Sequence, residues 1–267
     1  MTTGADVNNP NVAVAIPAYN ESEGIAEFLT EIDEALSPVC GEVTIIVVDD
    51  VSTDDTPGVV EEVAEKLKAK VEVVRQPQNG GHGPTALEAY RRALATGADF
   101  NIGVDGDGQF LGTDLRRVLV LLDDGGDGVC GVRRFRYDPW FRMLMTKVLR
   151  VYISAGFGVH ARDANCPLRG YRAPMLDELL RWIPDQSKVP NVHLAVLAAR
   201  RGATLVEVDV NHRVRRGSSA TGTMFNAAGQ WGTIKRLAKF SASALRESAT
   251  FRRDLNSGRP PMVSARR

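Results

Sequence analysis

Short apolar runs alternate with amphipathic stretches through the first 133 residues of this 267-residue chain. Each amphipathic stretch spaces its apolar residues as one face of a helix does. The pattern predicts strands at 12–18, 43–50, 71–76, 99–104 and 128–133. It predicts helices at 21–36, about 54–70, 84–96 and 112–123. This order predicts an α/β fold with a mostly parallel sheet flanked by helices.

Polar residues follow each predicted strand of that sheet. The motifs PAYNE, DDVSTDDT, NGGHG and DGDGQ come after the first four strands, and Arg133 closes the fifth. Parallel α/β sheets bind ligands at the carboxyl ends of their strands. The sequence therefore predicts that these motifs meet in one shared site.

The acidic motif VDGDGQF, at 104–110, carries the clearest chemical signal. Asp105 and Asp107 are separated by one glycine, and Gln109 adds an amide oxygen. Carboxylate and amide oxygens suit a hard divalent cation, and Mg²⁺ or Mn²⁺ held in this way usually also contacts substrate phosphates. A solvated acidic turn is the alternative interpretation, because Asp-Gly pairs are common in turns.

The second half of the chain is less regular. A strongly apolar helix is predicted at 139–153, interrupted by Arg142, Lys147 and Arg150. Three cations on such a helix favour a position at a membrane surface over a buried one. The pattern further predicts a loop entering a strand at 163–172, a helix at 191–201, a strand at 204–210 and an amphipathic helix at about 225–246.

Bulk charge is balanced, with 33 basic and 33 acidic residues, and gives no indication of a nucleic-acid partner. From Gly229 onward nine residues are basic and two are acidic, a distribution that can attract anionic lipid. The three cysteines lack the spacing of a metal site and fit a reducing compartment. The N-terminus lacks an apolar leader, and no apolar run approaches the ~20 residues that span a bilayer. We therefore expect a cytoplasmic protein, soluble or peripheral at the inner face of the membrane.

The motifs VAIPAYNE, VVDDVSTDDT, NGGHGPTALEAY and VDGDGQF resemble, as a set, those of family 2 glycosyltransferases with the GT-A fold. The dolichol- or polyprenyl-phosphate mannosyl- or glucosyltransferase branch is the most similar, because its acidic motif also reads Asp-x-Asp-Gly-Gln. The resemblance covers roughly residues 11–220. It implies a metal-dependent, inverting enzyme that moves a sugar from a GDP- or UDP-linked donor to a polyprenyl phosphate, with Mg²⁺ or Mn²⁺ as cofactor.

The resemblance also implies a domain organisation. We expect one GT-A (Rossmann-like) glycosyltransferase domain at 11–224 with a C-terminal helical extension. The expected segments around it are a disordered N-terminus at 1–10, an amphipathic helix at 225–250 and a basic, disordered tail at 251–267.

On the donor side, the resemblance assigns Asp50 a hydrogen bond from the nucleotide base. It assigns the metal to Asp105, Asp107 and Gln109. The implied nucleotide-sugar-binding residues are Pro17, Ala18, Tyr19, Glu21, Asp50, Gly81, Gly83, Asp105 and Arg215.

The resemblance also implies a catalytic set. Arg133 and Arg142 would hold phosphate oxygens, and Asp163 and Arg169 would border the acceptor. The full implied set is Asp107, Arg133, Arg142, Asp163 and Arg169.

Several positions depart from the family pattern. Val51 and Asp55 stand where the family usually has glycine. Before Arg169 the family usually has Ser-Gly-Phe, whereas this chain has Cys-Pro-Leu. Proline lacks a backbone donor and stiffens the chain. These changes therefore affect the acceptor side of the site more than the donor side.

Other interpretations stay open at this point. A soluble hydroxyl acceptor, on a glycan or a small metabolite, would need a carboxylate to take its proton. Asp163 is the candidate base, and a cap or an ion pair is its alternative role. A sugar-nucleotide-binding protein without turnover is a further alternative. His82 could touch phosphate or be solvated, and His193 is predicted in the core or at the surface rather than as a ligand.

Overall fold

One mixed sheet of seven strands organises the molecule, which we describe from a computed structural model. The described residues are 9–134, 150–214 and 230–258, and within 230–242 only the backbone is described. The strands are β1 (Val12–Ala18), β2 (Val43–Asp49), β3 (Lys70–Arg75), β4 (Phe100–Gly103), β5 (Gly128–Arg133), β6 (Arg169–Arg172) and β7 (Leu205–Val210). Their order across the sheet is β3-β2-β1-β4-β6-β5-β7.

The strand directions confirm the predicted mostly parallel sheet. Every neighbouring pair is parallel except the two pairs made by β6, which is antiparallel to β4 and to β5. The first five strands begin and end within one residue of the sequence prediction. Such strands are easy to locate in a sequence, because a parallel sheet is buried on both faces and its strands are therefore runs of apolar residues.

Helices cover both faces of the sheet. Within the described residues they are α1 (Ile25–Leu36), α2 (Thr56–Ala64), α3 (His82–Ala95), α4 (Gly112–Asp123), α5 (150–157), α6 (Ala173–Leu180), α7 (Pro190–Arg200) and α8 (Gln230–Ser257). Successive side chains of a strand point to opposite faces. Val12, Val14 and Ile16 of β1 therefore join one core with α1, α2 and α4. Ala13 and Ala15 join the other core, with α3, α6 and α7.

Several helices differ from the sequence prediction, and α1 begins at Ile25 rather than at residue 21. α2 ends at Ala64 rather than near residue 70. Beyond it, the carboxylate of Asp33 accepts the amides of Lys68 at 3.2 Å and Ala69 at 2.8 Å, which turns the chain toward β3. α6 is absent from the prediction, because its eight residues make only about two turns, a short stretch in which to recognise helical spacing.

The last helix extends further than predicted. The sequence prediction places a disordered tail at 251–267, but α8 remains helical to Ser257. Phe251 is buried, and its ring stacks on that of His193 in α7 with centroids 4.0 Å apart. The prediction of disorder for 251–257 is therefore wrong, because Phe251 and Leu255 pack on the core and Asn256 accepts a hydrogen bond from Arg200. Among the described residues, no helix combines the length and the apolarity that crossing a bilayer requires.

Candidate active site

The carboxyl ends of β1, β2 and β4 lie side by side and form the floor of the candidate site. The amide of Asp50 donates to the carbonyl of Ala18 at 2.9 Å, and the amide of Gly106 donates to the carbonyl of Pro17 at 3.3 Å. A Cβ at position 106 would lie 3.2 Å from that same carbonyl oxygen, so the close approach favours glycine. The structure thus brings three of the predicted motifs together.

Asp50 anchors the loop at 76–81 between β3 and α3, which we call the glycine loop. Its carboxylate accepts the amides of Gly80 at 2.7 Å and Gly81 at 2.9 Å. Its carbonyl accepts the side-chain amide of Asn79 at 2.8 Å. The side chain is buried, with the residue 3% exposed. Asp50 therefore shapes the loop itself, and the base contact assigned to it from the resemblance stays a prediction.

Two loops beside this floor are joined by side chains. The amide of Glu21 donates to Oγ1 of Thr56 at 2.8 Å, and the amide of Ser22 donates to Asp54 at 3.1 Å. Partial burial pushes the pKa of Asp54 upward, but hydrogen bonds from Thr56 and Ser22 outweigh it and lower that pKa. The ionised carboxylate thus holds the loop after β1 against the loop after β2.

Val51 lies in the same loop with an unusual backbone. Its φ is +63°, in the left-handed region, and the residue is 40% exposed. A residue with a branched Cβ is strained there. The glycine that the family usually carries at this position would have no such strain.

The acidic motif offers a donor set that fits a divalent cation. Asp105 and Asp107 supply carboxylates, and both are half-buried, as is Gln109. The Gln109 amide nitrogen donates to the carbonyl of Arg213 at 3.1 Å, which fixes the side chain. No group of three His, Cys, Asp or Glu side chains suited to a metal occurs among the described residues. Two carboxylates and an amide oxygen would leave further positions for phosphate and water, as Mg²⁺ or Mn²⁺ requires.

Two residues near the acidic motif add to what the sequence indicated. His82, the first residue of α3, places Nε2 3.6 Å from a carboxylate oxygen of Asp105. Arg213 donates to the carbonyl of Gly108 and pairs with both carboxylate oxygens of Glu31 at 3.0 and 2.9 Å. Arg213 therefore clamps the motif to α1. Sequence analysis missed this role, because Glu31 and Arg213 are 182 positions apart.

Arg133 and Asp163 form an ion pair at the end of β5. Nε and Nη2 of Arg133 donate to the two carboxylate oxygens at 2.8 and 3.1 Å. The side chain of Asp163 is 3% exposed. The structure brings these two predicted residues together, and their contacts with substrate stay predictions.

Arg169 is buried beneath the site rather than exposed in it. Its guanidinium donates to the carbonyls of Ala164, Cys166 and Asn191 and to the hydroxyl of Tyr171. These bonds occupy all five N–H groups of the side chain, and the residue is 0% exposed. No N–H group of Arg169 is left to contact a substrate in this structure, and its position beside the acceptor stays a prediction.

A cavity of about 760 Å³ lies between α7, β7 and the segment that follows α5. Asp163 belongs to its wall, so the cavity adjoins the ion pair with Arg133. Other wall residues are both apolar and polar, including Cys130, Phe157, Ala195, His160, Arg200 and Glu207. Burial raises the pKa of the Cys130 thiol, which makes it an unreactive part of that wall.

The remaining predicted site residues are either outside the described residues or at the edge of the site. Arg142, Arg215 and most of the predicted interfacial helix at 139–153 are outside the described residues. Tyr19 is half-buried at the end of β1. Gly83 lies in the first turn of α3, directly after the loop that Asp50 anchors.

The family model for glycosyl transferase family 2 matches residues 13–180, more than half of the chain. The chain belongs to glycosyl transferase family 2. Polyprenol monophosphomannose synthase of Mycolicibacterium smegmatis is 29% identical over 237 residues, which cover 84% of this chain and 88% of that protein. Undecaprenyl-phosphate 4-deoxy-4-formamido-L-arabinose transferase of Proteus mirabilis is 28% identical over 215 residues, 80% of this chain and 63% of that protein.

Solved structures share the fold. Glucosyl-3-phosphoglycerate synthase of Mycobacterium tuberculosis, crystallised with Mn²⁺, uridine diphosphate and phosphoglyceric acid, superposes with a TM-score of 0.61 at 17% identity. The match covers 95% of this chain and 80% of that one. The mannosyltransferase PcManGT of Pyrobaculum calidifontis, in complex with GDP-mannose and Mn²⁺, gives a TM-score of 0.57 at 22% identity, over 90% of this chain and 65% of that one.

These similarities establish the class of the protein. It is a family 2 glycosyltransferase with the GT-A fold. It is related to the enzymes that transfer sugars to polyprenyl phosphates.

Proposed function

We propose that this enzyme transfers a sugar from a GDP- or UDP-linked donor to a polyprenyl phosphate, with inversion at the sugar and with a divalent cation. The observation that carries the proposal is the meeting of the glycine loop, Asp50 and the acidic motif at the strand ends. The names of the relatives from Mycolicibacterium smegmatis and Proteus mirabilis support the lipid phosphate as acceptor class.

On the donor side, Asp105, Asp107 and Gln109 would hold Mg²⁺ or Mn²⁺. When bound, that cation neutralises the diphosphate and the negative charge that develops on the leaving oxygen. The chain itself contributes a fixed geometry. Gln109 is held through Arg213, and the carboxylate of Asp107 accepts the amide of Gln109 at 3.1 Å. Fixed ligands need no rearrangement when the donor arrives.

The glycine loop would bind the nucleotide portion of the donor. It leads directly into α3, whose first-turn amides carry partial positive charge and suit phosphate oxygens. Asp50 holds the loop in shape through Gly80 and Gly81. His82 lies at the same helix end and within reach of the acidic motif.

The state of Asp163 favours an anionic acceptor. A lipid phosphate is already a nucleophile, whereas a hydroxyl acceptor needs a general base. Both oxygens of Asp163 accept N–H groups of Arg133. Taking a proton from a hydroxyl would neutralise Asp163 and so lose the charge that strengthens this pair. In this arrangement Asp163 orients Arg133, and Arg133 supplies positive charge for a phosphate group.

A soluble hydroxyl acceptor is the second candidate, and the cavity beside Asp163 favours it. The wall of this cavity includes polar residues such as His160, Arg200 and Glu207, which could bind a small hydrophilic molecule. The structural relative from Mycobacterium tuberculosis was crystallised with phosphoglyceric acid, a small acceptor of that kind.

We further propose that the enzyme acts at an anionic membrane surface. The cations Arg246, Arg252 and Arg253 are exposed on α8. They belong to the basic segment that begins at Gly229. Anionic lipid attracts such segments by about 1 kcal/mol per cation. A membrane position would bring the enzyme to a polyprenyl phosphate.

Nucleotide release from UDP- and GDP-sugars, with and without a polyprenyl phosphate, tests the proposed function. We expect release to require Mg²⁺ or Mn²⁺ and to rise when the lipid phosphate is present. Wild-type turnover in excess chelator would contradict the metal requirement. Stimulation by a soluble hydroxyl acceptor, with none by polyprenyl phosphate, would establish the second candidate instead.

Asp107→Asn provides the matching variant for that assay. Because one anionic ligand is lost from a half-exposed site, we expect activity to fall roughly a hundredfold while the melting temperature stays unchanged. Asp123→Asn, the same chemical change on an exposed residue at the end of α4, is the control and should retain full activity. Normal turnover by Asp107→Asn would remove this residue from the metal site.

A further inference from the structure

A turn at Ser187 and Lys188 packs against the first turn of α3, directly after the glycine loop. A Cβ on Gly83 would lie only 2.0 Å from the carbonyl oxygen of Ser187 and 3.0 Å from the Cα of Lys188. The first turn of α3 therefore rests directly on this turn, backbone against backbone. A displacement of the turn would move the start of α3, and with it the amides of the glycine loop.

The same turn is held on its other side by α7 and α8. Oγ of Ser187, which is fully buried, lies 3.0 Å from Nδ1 of His193. The amide of Lys188 donates to both carboxylate oxygens of Glu247 in α8, each at 3.1 Å. Nζ of Lys188 donates to Oγ of Ser243, also in α8, at 2.6 Å.

We propose that Glu247 is a positioning residue for the donor: through the Ser187–Lys188 turn, docking of α8 holds the glycine loop in its donor-binding shape. The proposal rests on the proposed donor role of that loop. A hydrogen bond to a charged carboxylate is among the stronger ones in a protein. The His193–Phe251 stack fixes α8 close to Glu247, so the anchor of the turn is itself rigid.

The consequence is a physical link between the C-terminal helix and the donor site. When the Lys188 amide loses Glu247, the Ser187–Lys188 turn can shift. The glycine loop then also samples conformations that do not fit the donor. Binding must select the competent fraction, so the apparent affinity falls by that fraction. We expect Glu247→Ala to raise the dissociation constant of the nucleotide diphosphate about fivefold to tenfold.

The control is Asn256→Ala. Asn256 also joins α8 to α7, by accepting Nη2 of Arg200 at 3.4 Å, but it lies nine residues further along the helix. Glu247→Gln is the conservative variant, because its amide oxygen can still accept from Lys188. We expect Asn256→Ala to bind nucleotide like wild type and Glu247→Gln to recover at least half of the affinity lost in Glu247→Ala.

Two measurements on the full-length protein test the proposal. Hydrogen exchange of the amides at 79–85 needs no donor, and it should accelerate in Glu247→Ala but not in Asn256→Ala. Calorimetry with UDP and GDP in Mn²⁺, together with KM and kcat for the donor, should show a rise in Kd and KM with kcat nearly unchanged. Melting temperatures for all variants identify any loss that is merely global.

The outcomes distinguish a failure of the positioning role of Glu247 from a failure of the proposed donor site. Unchanged exchange at 79–85 in Glu247→Ala, or equal acceleration in Asn256→Ala, would overturn the positioning role. Acceleration specific to Glu247→Ala, in a protein whose wild type binds neither nucleotide, would support the mechanical link and contradict the proposed donor site. Equal Kd values for Glu247→Ala and wild type would also overturn the proposal.

Discussion

Val51 stores backbone strain at the residue scale. Its φ of +63° costs a residue with a Cβ about 1–2 kcal/mol, whereas glycine adopts this conformation freely. Glycine also gains entropy in the unfolded chain, which offsets part of the relief. We expect Val51→Gly to raise the free energy of unfolding by about 1 kcal/mol and the melting temperature by roughly 2–4 °C. Thermal unfolding measures both.

Val51→Ala is the matched control for that change. Alanine removes the branched side chain but keeps the Cβ that conflicts with a left-handed backbone. It should therefore gain less stability than glycine. A glycine variant less stable than wild type would mean that the backbone at this position is not a source of strain.

Asp50 should set the affinity for the nucleotide. Its carboxylate holds Gly80 and Gly81, so Asp50→Ala would leave two amides of the loop without their acceptor. Loss of a hydrogen bond to a charged group costs about 1.5–3 kcal/mol. We therefore expect a roughly tenfold or greater rise in the dissociation constant, measured by calorimetry. Unchanged affinity would contradict the placement of the nucleotide at this loop.

For single residues, the sequence predicts where a motif lies in the fold better than it predicts what each side chain contacts. Gly106 of the acidic motif contacts Pro17, and Asp50 contacts Ala18, because these residues lie at the carboxyl ends of well-defined strands. Arg169 also follows a recognisable motif, but no local pattern indicates that five carbonyl and hydroxyl contacts would bury it. Four of the five hydrogen bonds go to residues within five positions of Arg169, and one goes to Asn191, 22 positions away. The way the loop before β6 folds around the side chain is not indicated by residue type.

At the element scale, the contact between α7 and α8 should depend on pH. Burial lowers the pKa of His193 from 6.5 to about 3. His193 is thus protonated near pH 6.5 in the unfolded chain but only near pH 3 in the folded chain. Stability is therefore complete above pH 6.5 and falls as the pH decreases. We expect a loss of about 2 kcal/mol between pH 7 and pH 5, measured by urea unfolding.

His193→Gln isolates this contribution. Glutamine can still form a hydrogen bond with Ser187 but does not titrate, so its stability should change less over the same interval. Glu247, whose carboxylate lies 3.7 Å from Nδ1 of His193, favours the protonated ring and limits the loss. Parallel pH profiles for wild type and His193→Gln would mean that the buried ring accepts a proton in the folded state.

Helices were predicted less completely than strands, for reasons of packing. The periodic pattern of α2 continues past Ala64, but the helix ends there, and Asp33 holds the amides of Lys68 and Ala69 in the segment that leads to β3. The basic composition of 251–257 indicates disorder, but the stacking of Phe251 on His193 stabilises the helix there. In both cases contacts between residues far apart in the sequence accompany the boundary, and the local sequence does not indicate them.

For the whole molecule, binding to anionic vesicles should depend on salt. The exposed cations Arg252 and Arg253 of α8 belong to the basic C-terminal segment. Co-sedimentation with vesicles that contain anionic lipid should fall as ionic strength rises, because salt screens exposed charges. A variant with both Arg252→Ala and Arg253→Ala should bind roughly thirtyfold more weakly, because each cation contributes about 1 kcal/mol.

Arg116→Ala is the matched control for vesicle binding. Arg116 is exposed on α4, which packs on the opposite face of the sheet from α7. Its loss should leave binding unchanged. Vesicle binding that is indifferent to salt and to the double substitution would contradict electrostatic attachment through α8 and remove the support for a membrane acceptor.

The reversed direction of β6 has a consequence for how such an enzyme can diverge. Because β6 runs opposite to its neighbours, the chain enters it from the site edge, and the carbonyl of Leu168 accepts the amide of Gly131 there. Asp50, the glycine loop and the acidic motif, which are proposed to bind the donor, all precede residue 111, whereas Arg133, Asp163 and the cavity belong to later chain. Insertions or substitutions between β5 and β6 can therefore alter what receives the sugar while the half that recognises the nucleotide is inherited intact.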